Sequence, residues 1–221
     1  TAYEIGVRLV GSEMCIRDRY DILLIADEVA TGFGKTGAMF ACDLEQVTPD
    51  IMVLGKGITG GYLPLAATVT TDRIYDAFYG EESKKLFHGH TYAGNPICCA
   101  AGIASIDLFA DGPVIEKVQK RSSLLASLLE DRIANHPNVG EIRQQGLMVG
   151  IELVANKETR EPLLPNNEAT WDICLSVRDE GLFIRPLGDV IVLMPPLSIE
   201  EDEIDQMTEA LRNGIYRILP D

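Results

Sequence analysis

The chain opens its readable pattern at Ile22-Leu23-Leu24-Ile25-Ala26, an unbroken apolar run of strand length that stops at Asp27-Glu28. Two further short apolar runs come later, Ile51-Met52-Val53-Leu54 and Leu65-Ala66-Ala67-Thr68-Val69-Thr70. Between and after them lie stretches with helical signals. Asp72 to Tyr79 reads as a helix capped by Thr71 or Asp72, and Asn95-Pro96 opens a small-residue helix through Leu108 with proline in its first turn. Strand alternating with helix predicts an α/β sheet, mainly parallel. Runs this apolar predict strands covered on both faces.

Asp111-Gly112-Pro113 breaks the pattern. A long amphipathic helix is expected from about Val114 to Asn135, with Val118, Leu125, Leu128, Leu129 and Ile133 on one stripe, stopped by His136-Pro137-Asn138. Then come a strand from Leu147 to Val154, a loop from Asn156 to Asn167, and a helix from Glu168 to Glu180. Strands at Leu182 to Arg185 and Val190 to Met194 precede a final helix from Glu200 to about Ile218. The expected organisation is a partial large domain over 20–112, then a connecting helix and a small C-terminal α/β domain over 113–221. Residues 1–19 do not fit the strand and helix pattern that begins at Tyr20. Val7 to Arg19 resembles translated sequencing adapter, so this segment is expected to be an artefact or disordered and carries no function.

Composition narrows the function classes. The 221 residues are 46% hydrophobic and 24% charged, a globular balance. The net charge of −15 opposes a nucleic-acid partner, whose phosphates it would repel. No apolar run reaches membrane-helix length, and Glu4, Arg8 and Glu13 interrupt any signal-peptide core, so no membrane partner and a cytoplasmic location are expected. Cys15, Cys42, Cys98, Cys99 and Cys174 form no C-x-x-C pair and read as small thiols in a reducing compartment. His88 and His90 have no carboxylate or thiol at ligand spacing, so no metal is expected.

Chemistry concentrates in the glycine-rich region. Gly32-Phe33-Gly34-Lys35-Thr36-Gly37 and Gly55-Lys56-Gly57-Ile58-Thr59-Gly60 both satisfy the dinucleotide pattern G-x-G-x-x-G. Asp27 and Glu28 stand ahead of the first, where a carboxylate would face a pyrophosphate. Leu63-Pro64 interrupts the helix that should come after the second. An ATPase reading of Gly34-Lys35-Thr36 fails because Val29 occupies the position of the loop's first glycine and the acidic strand comes first. A different pair remains. Asp27 ends one apolar strand and Lys56 lies just past the end of the next. Ligands of open α/β sheets sit outside the carboxyl ends of the strands. Pyridoxal phosphate needs such a pair: a carboxylate to keep its ring nitrogen protonated and an amine to hold its aldehyde. A buried setting would favour the charged ring and lower the lysine pKa. By spacing alone, a strand-end cap and a solvated loop lysine explain the same two residues.

The motifs carry a resemblance that decides between these. Asp27-Glu28-Val29-Ala30-Thr31-Gly32-Phe33-Gly34, Leu54 to Pro64, His88 to Pro96 and Phe183-Ile184-Arg185-Pro186-Leu187-Gly188 resemble, in order, four segments of the class III aminotransferases. The resemblance implies a fold-type-I, pyridoxal-phosphate-dependent transferase, seen here without the family's glycine-serine phosphate turn and ring-stacking aromatic. It implies that Lys56 holds the cofactor, that Asp27 pairs with its ring nitrogen, and that His90 and Thr91 bind its phosphate across a homodimer interface. Gly89 would line the substrate site there, and Arg185 would receive a substrate carboxylate. Lys35, where the family commonly has arginine, would touch substrate with a point charge in place of a fork, and Val192 stands where relatives carry tyrosine. The Gly60-Gly61-Tyr62-Leu63-Pro64 ending resembles the biotin-synthesis branch. That branch implies 8-amino-7-oxononanoate as acceptor with S-adenosylmethionine, or lysine, as donor. Ornithine, 4-aminobutyrate or similar amines are the alternatives within the family, and a nucleotide-binding oxidoreductase the alternative outside it.

Overall fold

A computed structural model describes residues 19–163 and 168–220. Residues 1–18, with Cys15 and nearly all of the adapter-like segment, lie outside the described residues. The chain divides into two compact units. The first runs to Phe33 and from Ala38 to Gly112. The second takes Pro113 to Asp221 and also the four residues Gly34–Gly37. The main division between the units falls between Gly112 and Pro113. The excursion of Gly34–Gly37 into the second unit is not visible in the pattern, because hydrogen bonds from distant backbone and side chains hold it.

In the first unit β1 (Ile25–Asp27), β2 (Ile51–Leu54) and β3 (Ala67–Thr70) form one sheet in that order. β1 pairs parallel to β2 with Ile25 opposite Ile51 and Asp27 opposite Val53. β3 pairs antiparallel to β2, so the expectation of a mainly parallel sheet holds for only one of these two pairings. The expectation of strands covered on both faces also fails here. Ile22, Leu23 and Ile25 are exposed, Ile25 by 61%, because among the described residues nothing packs closely over them. A short helix α1 (Ala41–Leu44) lies between β1 and β2, and α2 (Asp72–Ala77) follows Thr71, which takes the extended N-cap conformation but makes no side-chain cap bond. In α3 (Pro96–Asp111), Asn95 caps the start: its Oδ1 accepts from Ile97 N at 3.0 Å and Cys98 N at 3.3 Å. The small apolar core of this unit is Phe33, Leu54 and Ile58, with Phe40, Leu65 and Phe109 against it.

The second unit holds the larger core. α4 (Val114–Arg132) buries Val118, Leu125 and Leu129. It stops three residues short of the expected Asn135, and His136 turns inward, its Nε2 at 2.8 Å from Leu219 O and its Nδ1 accepting from Asn138 N. β4 (Val139–Gln145) and β5 (Met148–Asn156) form a hairpin around Gly146-Leu147. The sequence pattern does not predict β4, because its half-polar residues lack the apolar run of a buried strand. β6 (Glu161–Pro162) adds two residues to β5 inside the expected loop. α5 (Glu168–Ser176) passes into a 3-10 turn, Val177–Glu180. β7 (Arg185–Leu187) and β8 (Val190–Leu193) complete the sheet β4–β5–β8–β7, antiparallel throughout. α6 (Glu201–Ile218) buries Ile204, Met207, Leu211 and Ile215 at helical spacing.

Gly214 sits where α6 meets the 3-10 turn: a Cβ there would lie 2.4 Å from Val177 Cγ1. Alanine normally gains about 1 kcal/mol over glycine in a helix. Here overpacking is expected to outweigh that gain, so Gly214→Ala should lose about 1–3 kcal/mol in urea unfolding of the whole chain. A raised urea midpoint would show that the two elements can part at no cost.

Candidate functional site

The carboxyl ends of β1 and β2 set the geometry. Because the strands are parallel and in register, Glu28 N donates to Val53 O at 2.9 Å, and the residues just past the two ends emerge side by side. Asp27 is exposed. Its Oδ1 accepts from Val29 N at 3.1 Å, and among the described residues Oδ2 accepts no hydrogen bond. Lys56 is exposed too, and among the described residues its Nζ makes no hydrogen bond or ion pair. Both stand on the rim of a three-stranded sheet. Lys56 has φ +40°, in the left-handed region, and opens the 3-10 turn Lys56–Thr59 after an extended Gly55. Left-handed geometry at a non-glycine residue is strained, and such strain clusters at functional sites.

Beneath this rim lies Glu28, which spacing in the sequence marks only as a neighbour of Asp27. It is 2% exposed. Thr31 Oγ1 donates to its Oε2, and Cys42 N donates to its Oε1 at 2.8 Å. Burial acts to raise the Glu28 pKa, but the hydrogen bonds from Thr31, Cys42 and Ala41 together outweigh it and hold the carboxyl below its ordinary range. Burial, with the Glu28 carboxylate adding to it, pushes the Cys42 thiol up to about 11. A threonine three places after a strand-end glutamate is the signal in the sequence that could identify this anchor.

The expected phosphate turn is exposed from His88 through Gly94, with Asn95 half-buried at its end. His90 Nδ1 accepts from Tyr92 N at 3.1 Å, and the space around Gly89 is open. Among the described residues no hydrogen bond joins Gly89, His90 or Thr91 to Asp27 or Lys56.

In the second unit Arg185 lies on β7 directly opposite Val192 of β8. It lines an open cleft of about 570 Å³ with Phe183, Val192, Met194, Pro195 and Met207. Among the described residues its guanidinium makes no ion pair, which removes the ordinary explanation of a surface salt bridge. Lys35 belongs to the same unit. Its Nζ donates to Pro195 O at 2.7 Å, and burial holds its pKa below the ordinary lysine range. Leu147 N donates to Lys35 O at 2.9 Å, Gln145 Nε2 to Thr36 O at 2.9 Å, and Gln119 Nε2 to Gly37 O at 2.8 Å. Gly146, at φ +61°, leaves room for this packing: a Cβ there would lie 2.4 Å from Lys35 O. Lys35 is thus engaged with Pro195, while among the described residues the Arg185 guanidinium at the cleft makes no ion pair. Val192 and Arg185, separate in the sequence, prove to be cross-strand neighbours.

Among the described residues no group of three histidine, cysteine or acidic side chains could hold a metal ion. The family model of class III aminotransferases matches residues 12–215. The chain belongs to the class III aminotransferase family. It is 49% identical over 215 residues to the adenosylmethionine-8-amino-7-oxononanoate aminotransferase of Geobacter sulfurreducens, covering 96% of this chain and 46% of that protein. The crystal structure of the aminotransferase of the same name from Methanocaldococcus jannaschii superposes with a TM-score of 0.90 at 45% identity, over 96% of this chain and half of the other. A PMP-bound aminotransferase from Vibrio fluvialis superposes with a TM-score of 0.89 at 31% identity, over 96% of this chain and 47% of that one. The chain spans about half the length of the curated relatives it matches. Class III aminotransferases use pyridoxal phosphate, and the residues present fit it at two points at adjoining ends of parallel strands: among the described residues, a carboxylate oxygen on Asp27 that accepts no hydrogen bond and an amine on Lys56 that makes none.

The Glu28 anchor gives a pH dependence. A carboxyl whose pKa is lower folded than unfolded stabilises fully above the ordinary value of 4.5, and that contribution is lost as pH falls through the folded value. Glu28→Gln should cost about 1–3 kcal/mol at pH 7. It should also flatten the acid limb of the stability curve below pH 4.5, measured by urea unfolding at stepped pH. Parallel acid limbs for the two proteins would mean that Glu28 is not ionised in the fold.

Proposed function

We propose that the chain carries the lysine-bearing part of an aminotransferase that converts 8-amino-7-oxononanoate to 7,8-diaminononanoate in biotin synthesis, with S-adenosylmethionine as amino donor. The observation that carries this reading is the exposed Asp27 carboxylate and the exposed Lys56 amine, unpaired among the described residues, at adjoining strand ends. The substrate rests on the relatives: those near 49% identity bear the adenosylmethionine-8-amino-7-oxononanoate name, while an omega-aminotransferase of Caulobacter vibrioides stands at 39%.

Pyridoxal phosphate, when bound, supplies an electron sink for a carbanion formed on the substrate. Asp27 holds the proton on the ring nitrogen, which keeps that sink strong. Lys56 holds the cofactor through Nζ, and once released it moves the proton from the substrate carbon bearing nitrogen. Arg185 receives the substrate carboxylate at the second unit's cleft, where among the described residues no side chain is ion-paired with its fork. The family is generally dimeric, and the reading includes a homodimer in which Gly89, His90 and Thr91 serve the partner's site. The exposed turn without bonds to Asp27 or Lys56 supports that. Cytoplasmic location belongs to the same reading. Among the described residues no single helix is long and apolar enough to cross a membrane, and Cys42, Cys98, Cys99 and Cys174 are free.

In protein completed to the length of the relatives, borohydride should fix the cofactor onto Lys56. Lys56→Ala should lose transamination by several orders of magnitude, because attachment and proton transfer go together. Asp27→Asn should lose turnover far more than cofactor affinity, read by single-turnover kinetics against equilibrium binding. Label recovered on Lys35 would overturn the assignment.

Arg185 separates recognition from chemistry. A charge-assisted hydrogen bond is worth roughly 1.5–3 kcal/mol. Arg185→Ala should therefore raise the apparent KM for the oxononanoate about ten- to a hundredfold, and Arg185→Lys should recover only part of it. The visible absorption of the bound cofactor should not change. An ester lacking the carboxylate should bind both proteins alike; if it discriminates between them, Arg185 supports the fold instead.

A further inference from the structure

Lys56 lies between two glycines, and each is pressed against a side chain of the loop after Asp27. A Cβ on Gly55 would meet Val29 Cγ1 at 3.3 Å and Cγ2 at 3.6 Å. A Cβ on Gly57 would meet Phe33 Cβ at 2.9 Å and two of its ring carbons at 3.3 Å. A contact under 3.0 Å to the Cβ of a buried aromatic cannot be relieved by swinging a flexible tip. Both contacts lie within the first unit.

The loop that presents Val29 and Phe33 is itself held. Gly32 N donates to Glu28 O at 2.9 Å, and a Cβ on Gly32 would come 2.8 Å from that oxygen. The Glu28 carboxylate accepts from the Thr31 hydroxyl and the Cys42 amide. Phe33 is 3% exposed, packed edge-on to Phe40 at 5.6 Å between centroids and tilted to Phe109 at 6.5 Å. It has φ +57°, so two non-glycine residues in the left-handed region, Phe33 and Lys56, meet across Gly57. Such conformations persist only where the surroundings over-determine them.

We infer that Val29 and Phe33 are positioning residues that clamp the Lys56 backbone from both sides through Gly55 and Gly57, aiming its amine at the edge shared with Asp27. This rests on the proposed function for its purpose, and on packing alone for its existence. It accounts for why the loop after Asp27 and the glycines around Lys56 must match: one motif is the mould of the other. A lysine on a loop with neighbouring glycines is otherwise free to point many ways, and each misdirected orientation lowers the effective concentration of its amine at the reacting carbon.

The test uses protein completed to the relatives' length and two readouts. Amide hydrogen exchange of residues 56–59, without cofactor, reports the clamp. The fraction of bound pyridoxal phosphate that borohydride fixes on Lys56, per folded molecule, reports its consequence. Gly57→Ala should speed exchange at 56–59 at least tenfold and lower the fixed fraction at least tenfold. Phe33→Ala, which removes the ring packed on Gly57, should likewise speed exchange at 56–59 and lower the fixed fraction. Val29→Ala, a milder change at the other side, should raise exchange at 56–59 while leaving that of α3 unchanged. A merely structural role would lower the melting temperature and leave the fixed fraction intact. Unchanged exchange at 56–59 in Gly57→Ala or in Phe33→Ala overturns the inference. Failure of the unsubstituted protein to fix label on Lys56 would instead defeat the functional reading, while the exchange results still decide the clamp.

Discussion

The parallel pairing of β1 with β2 places Ile25 opposite Ile51 and Asp27 opposite Val53, and everything chemical in the first unit hangs on that register. Strands that run the same way end at the same edge, so a carboxylate at the end of one and an amine just past the end of the next emerge together. Slipping β1 by one residue would turn it over and send Asp27 to the other face. The loop after β1 then has to fold back over that edge without covering it. The buried Glu28 carboxylate makes this possible by accepting from Thr31 and Cys42, which closes the loop from below while Asp27 stays open above.

The same edge imposes a division of labour on adjacent acids. Asp27 and Glu28 are consecutive, and in an extended backbone consecutive side chains point to opposite sides. One faces the rim, exposed, with an oxygen unengaged among the described residues. The other is buried, with both oxygens occupied. Two carboxylates at one strand end therefore serve different purposes, set by side and burial and not by residue type.

The second unit supplies a different kind of group. Arg185 and Val192 are opposite each other across an antiparallel pair, so the size of the residue at 192 bears directly on the space beside the guanidinium. Lys35 reaches the same unit through the four-residue excursion of Gly34–Gly37. Its ammonium bonds the Pro195 carbonyl, which draws the lysine into packing, whereas Arg185 makes no ion pair among the described residues.

The sequence alone determined most of the strand and helix positions and the apolar stripe of the long helices, because these depend on period and punctuation. It also sufficed for the family, through four ordered segments. Other features were decided only by tertiary structure. The antiparallel β3 and the half-polar β4 depend on partner strands that no local pattern names. The exposure of Asp27 and Lys56 depends on which faces of the sheet are covered. The burial of Glu28, the seat of Lys35 on Pro195, and the fit of Val29 and Phe33 against Gly55 and Gly57 all join residues distant in the chain. A sequence records what each residue is able to do locally; which neighbour it meets is fixed only when packing and backbone hydrogen bonds bring separate segments together.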